Sequence, residues 1–274
     1  MPASPKSKEK DCASTIASRR RSLLKFFLLV LALSLPFWLV GAVTGLQLLP
    51  GIPVSSLMVL SPVTAGLILV YRENGTAGVT ELLKRSFDFP RIRAKVWYAP
   101  IVLLMPGVML LSWELMHLMG SPLPAPQFPI LAALAMLAAF FVAALAEELG
   151  WSGYALDQMQ IRWNALQASI LLGVVLAAWH IVPLVQAHRS PAWITWQCLN
   201  IVATRVLYVW LYNNNGKSVF AAALFHTMQN ISWMLFPNYG SHYDPRIAGL
   251  VTVFVAASVT VVWGPRTLAR CRNV

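Results

Sequence analysis

Two adjacent carboxylates, Glu147 and Glu148, close an alanine-rich apolar stretch that reads AEELGWSGYAL. Neighbouring residues of an α-helix point about 100° apart, so one carboxylate can act on a substrate while the other braces the site. A carboxylate pair in a low-dielectric setting also resists joint ionisation, which suits one member to general-base work. Alternatively, the pair marks a helix end in interfacial water. His226 and Asn230, in FHTMQN, are four apart and share a helix face. An imidazole and a carboxamide placed there can hold a metal, a water or a developing oxyanion; taken alone, such a pair is as readily a helix contact. His180, in LAAWHIVP, precedes Pro183 at a kink where helix carbonyls are freed, and alone it reads as structural. Glu114 and His117 form an ExxH pair of the kind seen in di-iron bundles, but no second copy exists, so they read as an anchor beside Trp113.

These residues sit in a chain that is 58% apolar and 11% charged, with mean hydropathy +0.63 over 274 residues. Soluble domains are about 25% charged, and the apolar excess continues along the chain, which excludes a cytosolic enzyme. Cys12, Cys198 and Cys271 are too far apart for a disulfide scaffold. A membrane span needs roughly 20 apolar residues. Eight stretches qualify: 23–43, 52–71, 97–119, 129–152, 167–187, 192–212, 218–236 and 247–264. The expected fold is therefore all-α, a polytopic membrane bundle of about eight helices over 23–264.

A basic cytoplasmic leader, residues 1–22, is expected to be disordered; residues 265–274 form a cytoplasmic tail, and 72–96 is the one sizeable loop. The first stretch is too long for a secretory signal and lacks a cleavage pattern. Cys271 stands four from the end, but Arg272 and Asn273 do not fit a prenylation signal.

The net charge of +11 encodes orientation rather than nucleic-acid binding. All Lys and Arg except Arg189, Arg205 and Arg246 fall on one side, which places both termini in the cytoplasm, with a bacterial inner or plasma membrane as the expected setting. Ionisable residues inside spans cost a few kcal/mol each and mark function. At about 1.5 Å per residue, His226 lies about 13 Å above Lys217, Arg205 about 15 Å above Asn215, and Glu148 about 13 Å from Asp157. A polar site is thus expected a third to half of the way in from the cytoplasmic side.

The combination of a double glutamate, a histidine after a tryptophan, and a later HxxxN resembles the CPBP family of intramembrane proteases, which includes the type 2 CAAX prenyl proteases and bacteriocin-processing or immunity proteins. The resemblance covers about 130–236, and WLYNNNGKSVFAAALFHTMQN also looks like the family's approach to its third motif. Two positions depart from the EExxxR and FxxxH patterns: Ser152 replaces the arginine and Leu176 the phenylalanine. A buried carboxylate without its cation is costly, and Arg205 is the candidate replacement. The alternative is that Glu148 hydrogen-bonds only Ser152, while Arg205 pairs with Glu114 or with backbone carbonyls.

The resemblance implies an endopeptidase acting on a peptide or membrane-anchored protein among membrane lipids, with no nucleic acid as partner. It implies Glu147 as general base, Glu148 in support, His180 positioning water or metal, and His226 with Asn230 binding metal or oxyanion. It also implies a divalent metal, zinc, on His180, His226 and Glu147, although a glutamate-centred mechanism with little metal character is equally open. The other readings are a catalytically silent scaffold or immunity-type protein, supported by Ser152, and a transporter, against which the absence of inverted repeats counts.

Overall fold

The computed structural model describes residues 22–125, 130–237 and 239–269. The basic leader, the end of the tail with Cys271, and part of the proline-rich link after Gly120 lie outside the described residues. Among the described residues, nine α-helices form one bundle: α1 (Leu23–Thr44), α2 (Leu60–Lys84), α3 (Tyr98–Leu118), α4 (Ile130–Gly150), α5 (Asp157–Arg162), α6 (Ala165–Gln186), α7 (Pro191–Asn214), α8 (Val219–Met234) and α9 (Pro245–Trp263). A two-stranded hairpin, β1 (Gln47–Leu49) with β2 (Ile52–Pro53), follows α1. It is a small addition to the all-α architecture expected from composition.

Large apolar side chains point outward, as a lipid-facing surface requires: Leu24, Leu28, Leu31, Leu35 and Leu39 of α1 are all exposed. Among the described residues, six helical segments are long and apolar enough to cross a membrane: Leu23–Thr44, Val54–Phe87, Lys95–Leu118, Ile130–Arg162, Ala165–Gln186 and Pro245–Trp263. The other two expected spans, α7 and α8, form as helices but fall short of that description for a physical reason. Helix α8 has 16 residues, about 24 Å of rise. Helix α7 is less apolar because it carries Asn200, Thr204 and Arg205, which it turns inward, and it is buried from Ala203 to Tyr212.

The loop expected over 72–96 is shorter than expected. Helix α2 continues to Lys84, bent at Gly75, whose φ of 63° and ψ of −155° leave the helical region. Glycine tolerates that left-handed backbone without a Cβ clash.

The charge-rich connections do gather at one end. Arg91 Nη1 donates to the Gly216 carbonyl at 3.2 Å, and Arg85 Nη2 to the Lys217 carbonyl at 2.8 Å. The Ala165 amide donates to the Arg266 carbonyl at 2.9 Å. The opposite end carries the β-hairpin and the connections around Arg189 and Tyr243.

Two close helix crossings hold the inner helices in register. A Cβ on Gly150 would lie 2.5 Å from the Pro62 carbonyl, and one on Gly173 would lie 2.9 Å from Val202 Cα. Only glycine lets α4 meet α2, and α6 meet α7, that closely.

Candidate active site

Glu147 and Glu148 stand in the last turn of α4 and are 3% and 0% exposed. Immediately after them the chain widens into a π-type turn, Trp151–Leu156, every residue of which is buried. Such turns take an extra residue and leave carbonyls displaced from the α-helical ladder. Two of these carbonyls have outside partners: Ser152 accepts from the Tyr212 hydroxyl at 3.2 Å, and Gly153 from Arg85 Nη1 at 2.8 Å. Helix α4 therefore continues into α5 as one element while its second half is re-aimed.

Glu148 is fully engaged. Arg205 donates to it through both nitrogens, Nη2 to Oε1 at 3.0 Å and Nη1 to Oε2 at 3.1 Å. Ser152 Oγ donates to Oε2, and His226 Nδ1 lies 3.2 Å from Oε1. A two-pronged guanidinium–carboxylate pair is the strong form of a buried ion pair because the remaining lone pairs are also satisfied. Arg205 further lies over the Tyr208 ring, 4.3 Å from its centroid. The sequence offered two partners for Glu148 as alternatives, and the structure has both: Arg205 supplies the charge and Ser152 a neutral donor.

Glu147 is differently placed. Its Oε2 is buried without a hydrogen-bond partner, and Oε1 lies 3.9 Å from His226 Nε2. It lines a cavity of about 180 Å³ together with His180, Arg205, His226 and Asn230. His180 Nδ1 lies 2.8 Å from the Leu176 carbonyl, which can only accept, so Nδ1 carries the proton and Nε2 presents a lone pair. The same reasoning gives His226 a proton on Nδ1, facing Glu148, and leaves Nε2 toward Glu147. All the residues expected from the motifs thus line this cavity except Glu148, which braces it from beneath. Glu114 and His117 do not line it; His117 stacks on Trp113 at 5.3 Å.

The helix carrying His226 and Asn230 is anchored by a residue the sequence reading missed. Asp88 Oδ1 accepts from Ser218 Oγ at 2.7 Å and from the Phe220 amide at 3.0 Å, and Oδ2 accepts from the Val219 amide at 3.1 Å. It thereby satisfies the free N–H groups at the start of α8. No spacing pattern announces a cap supplied from so far along the chain. Trp179, beside His180, is likewise fixed by its Nε1 donating to Ser34 Oγ at 2.8 Å.

The cavity runs from a floor at Arg205 and Tyr208 past Asn200, Gln197 and Trp193 toward Tyr243. A more apolar groove of about 410 Å³ reaches the same Glu147, His180, His226 and Asn230 from the β-hairpin and Arg189. Both approaches lie toward the charge-poor end of the bundle. A separate polar cavity at the charge-rich end, between Asn74, Arg85, Asp157 and Lys217, is not lined by these four residues. Both cavities that reach Glu147 thus extend away from the charge-rich connections.

Among the described residues, no group of three or more His, Cys, Asp or Glu side chains is gathered in a way that could hold a metal ion. His180 and His226 each keep Nε2 available, but Glu148, the nearest further carboxylate, is consumed by Arg205. As arranged, the expected set of His180, His226 and Glu147 does not form a metal site.

A buried carboxylate pair, two histidines and an asparagine are thus set together in a polytopic α-bundle, and the chain is similar to CAAX-type proteases. Residues 128–232 match the family described as Type II CAAX prenyl endopeptidase Rce1-like. Over 279 aligned positions, covering 90% of this chain and 96% of the relative, it is 27% identical to the CAAX prenyl protease 2 of Methanococcus maripaludis. The similarity supports an intramembrane endopeptidase in general terms, and the family match spans the segment that carries Glu147, His180, Arg205, His226 and Asn230.

Proposed function

We propose that this protein hydrolyses a peptide bond of a membrane-associated protein or peptide, with water activated by Glu147. The carrying observation is the division of labour between the two carboxylates: Glu148 has every acceptor position occupied, whereas Glu147 keeps a free, buried oxygen in the cavity. A base needs an available oxygen within reach of the water it deprotonates.

In this reading a water sits between Glu147 and the free Nε2 atoms of His180 and His226. Glu147 takes its proton as the water oxygen attacks the scissile carbonyl carbon. The oxyanion that forms is met by the amide of Asn230, since a donor placed where charge develops lowers the barrier. Glu147 then passes the proton to the leaving amine as the C–N bond breaks. Glu148 acts through His226, whose ring it orients, and Arg205 keeps Glu148 ionised and in place.

A divalent metal, zinc in the expectation, would draw on His180, His226 and Glu147 and supply a polarised water. The present arrangement of those donors does not fit it, so no step is assigned to it.

The silent-scaffold reading rested on the missing motif arginine. Arg205 fills that role at Glu148, so the reading loses its particular support. On the charge distribution, both termini are proposed to face the cytoplasm and the cavity to be entered from the opposite face or laterally from lipid.

The test is incubation of purified protein in detergent with a quenched-fluorescence peptide library, with and without chelator, beside Glu147→Gln. Cleavage by the parent, lost in Glu147→Gln and unaffected by chelator, is the expected result. No cleavage of any peptide or protein substrate would sink the protease assignment, and loss of cleavage on chelation would restore the metal.

A further inference from the structure

Of the buried side-chain atoms without a hydrogen-bond partner among the described residues, two belong to residues lining the cavity that holds the candidate base. One is Glu147 Oε2. The other is Asn200 Oδ1, on α7 and only 1% exposed. We propose that Asn200 binds the main chain of the polypeptide substrate, its Oδ1 accepting one backbone N–H. This rests on the endopeptidase reading above.

The surroundings of Asn200 fix which atom is offered. Its Nδ2 donates to the Tyr243 hydroxyl at 3.0 Å, and that hydroxyl donates onward to Gln197 Oε1 at 3.0 Å. One donor of the amide is engaged and its orientation set, leaving Oδ1 unpaired on a residue that lines the cavity. A buried acceptor left unpaired costs free energy, and a ligand that brings an N–H recovers it. An extended peptide brings a backbone N–H at every non-proline residue.

Asn200 and Arg205 are five residues apart on one helix, about 7–8 Å along its axis. An extended chain rises about 3.3 Å per residue, so the N–H that meets Asn200 lies about two residues from the bond presented to Glu147. Farther along the same wall, the Tyr208 hydroxyl donates to Gln229 Oε1 at 2.7 Å. This branch of the cavity thus carries amides and hydroxyls, while the groove from the β-hairpin is mostly apolar. The main chain belongs in the first and apolar substituents in the second.

The experiment uses the full chain in detergent and a peptide it cleaves, remade as a series in which each backbone N–H in turn is replaced by an ester oxygen. In the parent, one ester position, about two residues from the cleavage site, is expected to raise KM about tenfold with kcat within about twofold. In Asn200→Ala the amide peptide should show that same loss, and the ester should cause no more. Asn200→Asp, which keeps an acceptor, should restore the discrimination. Tyr243→Phe and thermal unfolding separate a local packing defect from a lost substrate contact. If Asn200→Ala and the ester effects simply multiply at every position, Asn200 holds water or serves packing alone, and the proposal is overturned. If no peptide is cleaved, an ester series built on a peptide that binds Glu147→Gln, read by fluorescence anisotropy, makes the same comparison. Equal binding of every ester there also overturns it, independently of whether the chain is a protease.

Discussion

Arg205 and Glu148, 57 residues apart in sequence, form a two-pronged buried ion pair at 3.0 and 3.1 Å. In the CPBP motif an arginine four residues after the second glutamate stands on the same helix; here Ser152 holds that position and the cation comes from α7. Supplying the charge from a different helix changes what the pair does mechanically. It bolts α4 to α7 at the level of the cavity floor, as well as satisfying a carboxylate.

The two glutamates should therefore fail differently. Glu147→Ala and Glu148→Ala are both expected to abolish proteolysis while leaving membrane insertion intact, since either change makes the segment more apolar. Glu148→Ala should also strand Arg205, and breaking a buried pair costs about 3–5 kcal/mol. Thermal unfolding in detergent should show a large drop for Glu148→Ala and little for Glu147→Ala. Wild-type activity in both variants would remove the catalytic assignment.

Arg205→Ala should damage activity and stability together, and Arg205→Lys should recover only part because an ammonium cannot grip both oxygens. Adding Ser152→Arg to Arg205→Ala returns a cation to the motif position, and partial recovery of turnover is expected. A double variant no better than Arg205→Ala would show that bolting α4 to α7, and not the charge on Glu148, is what the site needs.

His226→Ala and Asn230→Ala should lower kcat strongly with less effect on KM, as groups acting mainly on the transition state do. His180→Ala should behave similarly, because its free Nε2 faces the same cavity. A raised KM at unchanged kcat would assign any of them to binding instead.

Asp88→Ala removes the acceptor for two amides and a hydroxyl at the start of α8, and a lost cap costs about 1–2 kcal/mol. Reduced thermal stability should come with a fall in kcat, since the cap holds the helix that carries His226 and Asn230. Asp88→Asn, which keeps one acceptor oxygen, should be intermediate in both measurements.

Sidedness is open to direct labelling. In a chain with Cys12, Cys198 and Cys271 changed to serine, Ser241→Cys should react with a membrane-impermeant maleimide on intact cells, and Arg162→Cys only after permeabilisation. The reverse pattern would place the cavity mouth in the cytoplasm.

What could be read from the sequence follows from how far each residue's signal travels. Glu147, Glu148, His180, His226 and Asn230 stand out because ionisable and polar groups are rare in apolar helices and recur at helical spacing. Arg205 was reachable by counting depth, because a lone guanidinium in a span needs an acid. Asp88 was not: it sits in a polar connection and acts on Ser218, far along the chain, so no local pattern betrays it. Asn200 was hidden for another reason, since a single asparagine in a long helix has no spacing partner. Hydropathy marked α7 and α8 as apolar helices, but it did not show that α7 turns Asn200, Thr204 and Arg205 inward or that α8 ends after 16 residues. The direction in which the cavities extend was not legible, because depth along a helix gives a distance and not a direction.

The widened turn at Trp151–Leu156 has a consequence for which changes the protein can tolerate. It contains no charged side chain, yet it is where the face of α4 that serves the cavity is handed over to the face of α5 that meets α7, through Gln160 and Asn213 at 2.8 Å. One residue of an α-helix corresponds to about 100° of rotation, so this handover depends on the number of residues in the segment more than on their identity. Exchanging one apolar side chain for another of similar volume there is a packing adjustment. Deleting a single residue leaves both halves helical and apolar, with hydropathy nearly unchanged, but sets them out of phase. Such a chain should still enter the membrane while Glu148 and Asp157 can no longer both reach their partners. The segment works as a spacer whose length is its information.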